Sequence, residues 1–280
     1  MFQARVLAIH DLSGFGRCSL TVALPVLSAA GIECTALPTA VLSTHTGGFE
    51  GYTFRDLTDD LLPMAKHWAQ LGLEFDAIYT GYLGSFEQVD VVRQVLALLR
   101  SERTLVVVDP VMADVGKLYA GFSKDFPRKM RTLCADADVV VPNLTEAALL
   151  LERPYEECPD REVVADILNR LCVELGAPAA VLTGVSLRAG ELGAATYDSA
   201  TGEQSYTGAE KVGGMYHGTG DVFSSALVAA LVRGLVLADA VKVAVSFTVG
   251  ALKRSYEAQT DPRYGVNFEA GLADFAAALR

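Results

Sequence analysis

Leu105-Val106-Val107-Val108-Asp109-Pro110 is the stretch on which the fold turns. An apolar run without polar alternation describes a strand buried on both faces. Asp109-Pro110 closes it, because proline fixes φ and offers no backbone donor. Such strands belong to parallel sheets covered by helices. On the N-terminal side, residues 86–99 read as a helix, 77–80 as a short strand and 56–71 as a helix. Residues 34–41 are extended, 19–30 helical and ended by Gly31, and 5–9 a first strand. On the C-terminal side, residues 139–141 form a strand closed by Pro142-Asn143, and 162–175 an amphipathic helix. Residues 179–182 are a strand ending at Thr183-Gly184, while 193–198 and 204–207 look like a hairpin appended to the sheet. This alternation predicts an α/β fold. With no repeat, low-complexity tract or linker, residues 1–280 read as one domain.

The 280 residues are 51% hydrophobic, ample for a large core. A net charge of -11 argues against nucleic-acid and anionic-membrane partners, which need a basic face. Cys18, Cys34, Cys134, Cys158 and Cys172 are odd in number and form no Cys-x-x-Cys pair. That pattern speaks against a disulfide framework or zinc site and for a reducing compartment. No cleavable signal pattern follows Met1, and the apolar segment 226–244 is broken by Arg233, Gly234, Asp239 and Lys242. The expectation is a soluble, cytoplasmic protein.

In open α/β sheets, ligands gather beyond the carboxyl ends of the strands. Here those ends hold the most polar, glycine-rich sequence. His217-Gly218-Thr219-Gly220-Asp221 runs directly into the small-residue helix that starts at Val222. Gly218 and Gly220 let an anion approach the main chain, and the first N–H groups of a helix point into the same space. Together with Asp221 one turn in, this reads as a phosphoryl-transfer site. The purely structural alternative is a helix start capped by Thr219 or Asp221. A carboxylate at a helix N-terminus is favoured, which predicts a depressed pKa and a late proton transfer.

After the first strand, His10-Asp11-Leu12-Ser13-Gly14-Phe15-Gly16-Arg17-Cys18-Ser19 lacks the third glycine of a dinucleotide fingerprint, and no Gly-x-x-x-x-Gly-Lys-Ser/Thr occurs anywhere. Ser43-Thr44-His45-Thr46-Gly47-Gly48-Phe49 and Thr80-Gly81-Tyr82-Leu83-Gly84-Ser85 are substrate-contact loops or self-satisfied turns. Asp109 and Asp114 are either turn residues or hard oxygen ligands for Mg²⁺ and phosphate management. Asn143 and Glu146 form a capping box or two oxygen ligands facing the same crevice. Lys117 and Lys211 are candidate phosphate contacts or solvated surface lysines.

Taken together, the Thr-His-Thr-Gly, Thr-Gly-Tyr-Leu-Gly-Ser, Asp-Pro-Val-Met-x-Asp, Pro-Asn-x-x-Glu-Ala and Gly-Thr-Gly-Asp segments resemble the pyridoxal kinase branch of the ribokinase superfamily. The resemblance implies a three-layer α/β/α sandwich with a mostly parallel central sheet, a homodimer, and phosphorylation of the 5′-hydroxyl of pyridoxal, pyridoxine or pyridoxamine from MgATP. It implies Asp221 as the catalytic residue facing the attacking hydroxyl, and Gly218, Thr219 and Gly220 as an anion hole. Asp109, Asp114, Tyr119, Asn143, Glu146 and Thr183 would lie at the nucleotide. Glu146, Asn143 and Asp109 would organise Mg²⁺ largely through water, with a monovalent cation such as K⁺ near the phosphates. Asp11, Ser13, Thr46 and Tyr82 would meet the pyridine ring, and Cys18 would fall beside it. Asp11 stands where many relatives carry serine, which suggests a bias toward pyridoxamine, whose amine it would pair. The alternatives are a hydroxymethylpyrimidine kinase, a sugar kinase, and a non-catalytic vitamer-binding protein.

Overall fold

The computed structural model describes residues 3–280. Along the chain run β1 (Arg5–Phe15), α1 (Leu20–Ala29), β2 (Glu33–Thr44), β3 (Phe54–Asp56), α2 (Thr58–Gln70), β4 (Ala77–Thr80) and α3 (Phe86–Leu99). Then come β5 (Leu105–Val108), β6 (Ala113–Asp114), β7 (Lys117–Leu118), α4 (Phe126–Cys134), β8 (Val139–Val140), α5 (Leu144–Leu150) and α6 (Arg161–Leu175). β9 (Ala179–Val185), β10 (Glu191–Asp198), β11 (Glu203–Glu210), α7 (Thr219–Val232), α8 (Leu237–Glu257) and α9 (Leu272–Ala278) complete it.

The main sheet has the order β11-β10-β9-β8-β5-β4-β1-β2-β3. Every pairing from β9 to β2 is parallel, and β3, β10 and β11 close the two edges antiparallel. Alternation along the strands sorts the core into two layers. Leu7, Ile9, Ile78, Val106 and Val108 pack with apolar residues of α2 to α6. Val6, Ala8, Tyr79, Val107 and Val139 pack with α1, α7, α8 and α9. The result is the expected three-layer sandwich. Among the described residues, no helix is long and apolar enough to cross a membrane.

Several boundaries differ from the sequence reading. β1 continues past residue 9 to Phe15, with a register shift between His10 and Leu12 that re-aims Asp11 and Ser13. β9 likewise runs through Thr183-Gly184. Asp56 ends β3 rather than starting α2, and its carboxylate accepts from the Thr58 N–H at 2.7 Å. The hairpin β10–β11 is appended to the sheet as expected, forming its antiparallel edge through the pairing of β10 with β9. The helix α4 and the small hairpin β6–β7 were not evident from periodicity.

Candidate active site

Gly218 caps α7 at φ 72°, the left-handed region that glycine enters without penalty. A side chain there would also strike the Arg17 carbonyl, with Cβ only 1.8 Å away. The structural alternative for this segment fails, because no side chain caps α7. Thr219 Oγ1–H donates backward to the Tyr216 carbonyl at 2.9 Å. The space beside Gly220 is open. The first turn of α7 therefore presents its N–H groups outward, the geometry an anion needs.

Asp221 occupies that turn, but its acidity is opposite to the expectation. Burial pushes its carboxyl up to about 7, outweighing the Ser19 backbone N–H, and the charges of Asp109 and Asp11 push the same way. The helix terminus is the weaker effect here because desolvation disfavours the charged form more strongly than the dipole favours it. A carboxyl near neutrality is a stronger base than a helix N-terminus alone would provide.

Around Asp221 the strand ends converge. Asp11 is buried, and both carboxylate oxygens are engaged: Ser13 Oγ–H donates at 2.8 Å and Ser19 Oγ–H at 2.6 Å. Burial raises its pKa while the two hydroxyls lower it. Ser19 itself sits at φ 51°, ψ -130°, a strained conformation for a residue with a side chain. That strain is held where its hydroxyl meets Asp11 and its N–H meets Asp221. Cys18, buried beside both aspartates, has its thiol pushed up by burial and by their charge.

Asp109 follows β5, buried, and accepts from Ser224 Oγ–H of α7 at 2.8 Å. Burial raises its pKa, as it does for Glu146 with Asp109 adding to the effect. The Asn143–Glu146 pair realises the full capping box of α5. Asn143 Oδ1 accepts from the Thr145 and Glu146 N–H groups at 2.8 and 2.9 Å, and its Nδ2–H donates to the Ala113 carbonyl at 2.8 Å. Glu146 Oε1 accepts from the Met112 N–H at 3.0 Å and Oε2 from the Asn143 N–H at 2.9 Å. Such a cap contributes about 0.5–2 kcal/mol. It also ties α5 to the residues after β5.

Thr183 pairs with Asn143 through a parallel bridge, so it shares this end of the sheet. Asp114 faces Lys117 across the β6–β7 hairpin, and both are exposed. Tyr119 leaves that hairpin with its phenol pushed up by burial and then by the charges of Glu146, Asp114, Asp109 and Asp221. The Tyr119 phenol thus lies within electrostatic reach of four carboxyls, although the residue is 40% exposed. Tyr82 is half-buried, its ring 5.7 Å from Phe122, with Asp11 among the charges that raise its phenol. Thr46 is exposed on the loop after β2. Lys211 stays exposed at the end of the edge hairpin, its backbone N–H on the Gly190 carbonyl at 2.9 Å.

A divalent ion suits this donor set only indirectly. Among the described residues, no group of three or more His, Cys, Asp or Glu is placed to hold a metal by itself. Asn143 is committed to backbone groups, and Glu146 accepts backbone N–H groups on both oxygens. This fits Mg²⁺, which keeps several waters and leans on substrate phosphates rather than a protein cage.

Sequence reasoning missed Ser19 and Ser224. Ser224 had a signal available, since it lies three residues after Asp221 and so on the same helix face. Ser19 had none, because its role depends on the bulge in β1.

Residues 23–265 match the phosphomethylpyrimidine kinase family. The solved pyridoxal kinase of Lactobacillus plantarum is 39% identical, with a TM-score of 0.89, covering 98% of this chain and 97% of its own. A structure from Bacteroides thetaiotaomicron, named for phosphomethylpyrimidine kinase and solved with pyridoxal, is 35% identical with a TM-score of 0.93, covering 98% and 96%. The chloroplastic thiamine biosynthetic bifunctional enzyme of Arabidopsis thaliana is 29% identical over 253 residues, 90% of this chain and 47% of that protein. The chain thus spans about half the length of the first curated relatives it matches. The chain belongs to the phosphomethylpyrimidine kinase family.

Proposed function

We propose, from this membership, that the chain is an ATP-dependent kinase of a B6 vitamer, phosphorylating the 5′-hydroxyl of pyridoxal, pyridoxine or pyridoxamine. The observation that carries the reading is the placement of Asp221, with its raised carboxyl, in the uncapped first turn of α7. The ring preference is supported by the likeness to a pyridoxal kinase and to a structure solved with pyridoxal.

Phosphoryl transfer depends chiefly on positioning and charge stabilisation. Asp221 accepts the hydroxyl proton and aligns the oxygen for attack. Gly218, Thr219 and Gly220 meet the developing phosphate charge with backbone N–H groups. Asp109, Asp114, Tyr119, Asn143, Glu146 and Thr183 border the nucleotide, while Thr46, Tyr82, Ser13 and Asp11 border the ring. Glu146, Asn143 and Asp109 would hold Mg²⁺ largely through water, where it would neutralise phosphate charge, with a monovalent cation such as K⁺ alongside. The working unit is a single kinase domain, assembled as a homodimer in the cytoplasm.

A pyrimidine acceptor is the second reading, favoured by the family's own name and by the thiamine biosynthetic relative. Incubation with MgATP and each of pyridoxal, pyridoxine, pyridoxamine and hydroxymethylpyrimidine, following ADP and product, decides between them. Turnover of a B6 vitamer in preference to the pyrimidine is expected; the reverse preference moves the chain to the second reading.

A further inference from the structure

The loop that carries Thr46 and the loop that carries Gly218 to Gly220 meet at one contact. His217 directly precedes Gly218, and Gly47 directly follows Thr46. The Gly47 Cα lies against the His217 imidazole, so a Cβ there would stand 2.5 Å from Cε1 and 2.7 Å from Nδ1. Gly47 is not in the left-handed region, unlike Gly48 at φ 76°. Its backbone would therefore accept alanine, and what opposes a side chain is the His217 ring alone.

Both sides of the contact are anchored. The Gly47 N–H donates to His45 Nδ1 at 3.2 Å, which fixes the tautomer and leaves Nε2–H to donate to the Arg263 carbonyl at 2.6 Å. The His45 and His217 rings stand 5.0 Å apart. On the other side, the His217 N–H donates to the Pro262 carbonyl at 3.2 Å, and Gly218 is wedged against the Arg17 carbonyl. Neither loop can shift at this point without the other, because close-packed contacts transmit displacement.

We propose that His217 is a positioning residue through which the Thr46 loop sets the backbone of the anion site. The inference rests on the kinase reading above, with Thr46 on the acceptor side and Gly218 to Gly220 on the phosphate side. Misplacement of a reacting group by about 1 Å can cost on the order of 100-fold. A defect confined to the acceptor loop raises KM, whereas a displaced anion site lowers kcat.

The test is a double-mutant cycle of Gly47→Ala and His217→Ala, with folding of each variant checked by melting temperature. Gly47→Ala alone is expected to lower kcat by about tenfold or more with a smaller change in vitamer KM. In the His217→Ala background the same substitution should cost less than about twofold, since the clash is gone. An equal kcat loss in both backgrounds, or none in the wild-type background, overturns the proposal. The His217 Cε1–H resonance, assigned by comparison with His217→Ala, reads the contact without any substrate. It should move in Gly47→Ala, and an unmoved resonance overturns the coupling. A wild-type protein that phosphorylates none of the four ring alcohols overturns the kinase reading instead and leaves this second measurement standing.

Discussion

Ser224 Oγ–H donates to Asp109 Oδ2 at 2.8 Å, joining residues 115 positions apart in the chain. The bond fastens the helix that carries Asp221 to the end of β5. It also lowers the pKa of a carboxyl that burial drives upward. Ser224→Ala is expected to destabilise the protein by about 1–3 kcal/mol, because a buried acceptor loses its donor. Urea denaturation at pH 8 checks this, and an unchanged midpoint would show that Asp109 finds another donor.

Asp221→Ala should lower kcat by about 10²- to 10⁴-fold with little change in vitamer affinity, the range for a positioned proton acceptor. Steady-state kinetics with isothermal titration of the vitamer separates the two quantities. Near-normal turnover would remove Asp221 from the chemistry.

The pH dependence follows from the raised carboxyl. Only ionised Asp221 can take a proton, so kcat/KM should rise with pH through about 7. Stability runs the other way. A folded-state pKa above the unfolded value of 3.8 means that the folded form holds more protons between about 4 and 7, so this group's contribution falls as pH rises across that window. Asp221→Asn should therefore melt higher than wild type at pH 8, with the gap narrowing as the pH falls below 7. A gap that widens on acidification would contradict the burial argument.

Asp11 tests the substrate bias suggested by its replacement of serine. Each of its oxygens accepts one hydroxyl, from Ser13 and from Ser19, and keeps a further lone pair that a substrate amine could use. Asp11→Ser is accordingly expected to lower the ratio of kcat/KM values for pyridoxamine over pyridoxal. An unchanged ratio would mean that the carboxylate serves only to hold the two serines.

Much of this architecture was legible because burial writes itself into composition. Val106 to Val108 and Ala77 to Thr80 are buried on both faces, and the structure has strands where the sequence predicts them. The same holds for α3, whose Ser85 cap accepts from the Gln88 N–H. What escaped depends on tertiary contacts. The extension of β1 past His10 is imposed by pairing with β2 through Phe15↔Thr44, which no local pattern announces. The acidity of Asp221 was misjudged for the same reason. A helix terminus is visible in sequence, whereas the depth at which it is buried is not. The Asn143–Glu146 pair carries two readings in the sequence, and the structure realises the capping box.

The charges of Asp11 and Asp109 both act on Asp221, and Asp109 in turn acts on Glu146. Burial holds these acids in a neighbourhood where each added negative charge is costly. An uncomplexed polyphosphate meets that density as a like charge, whereas one already carrying a divalent ion arrives partly neutralised. On the kinase reading proposed above, a nucleotide that arrives with its divalent ion is therefore the form this cluster would admit at least electrostatic cost.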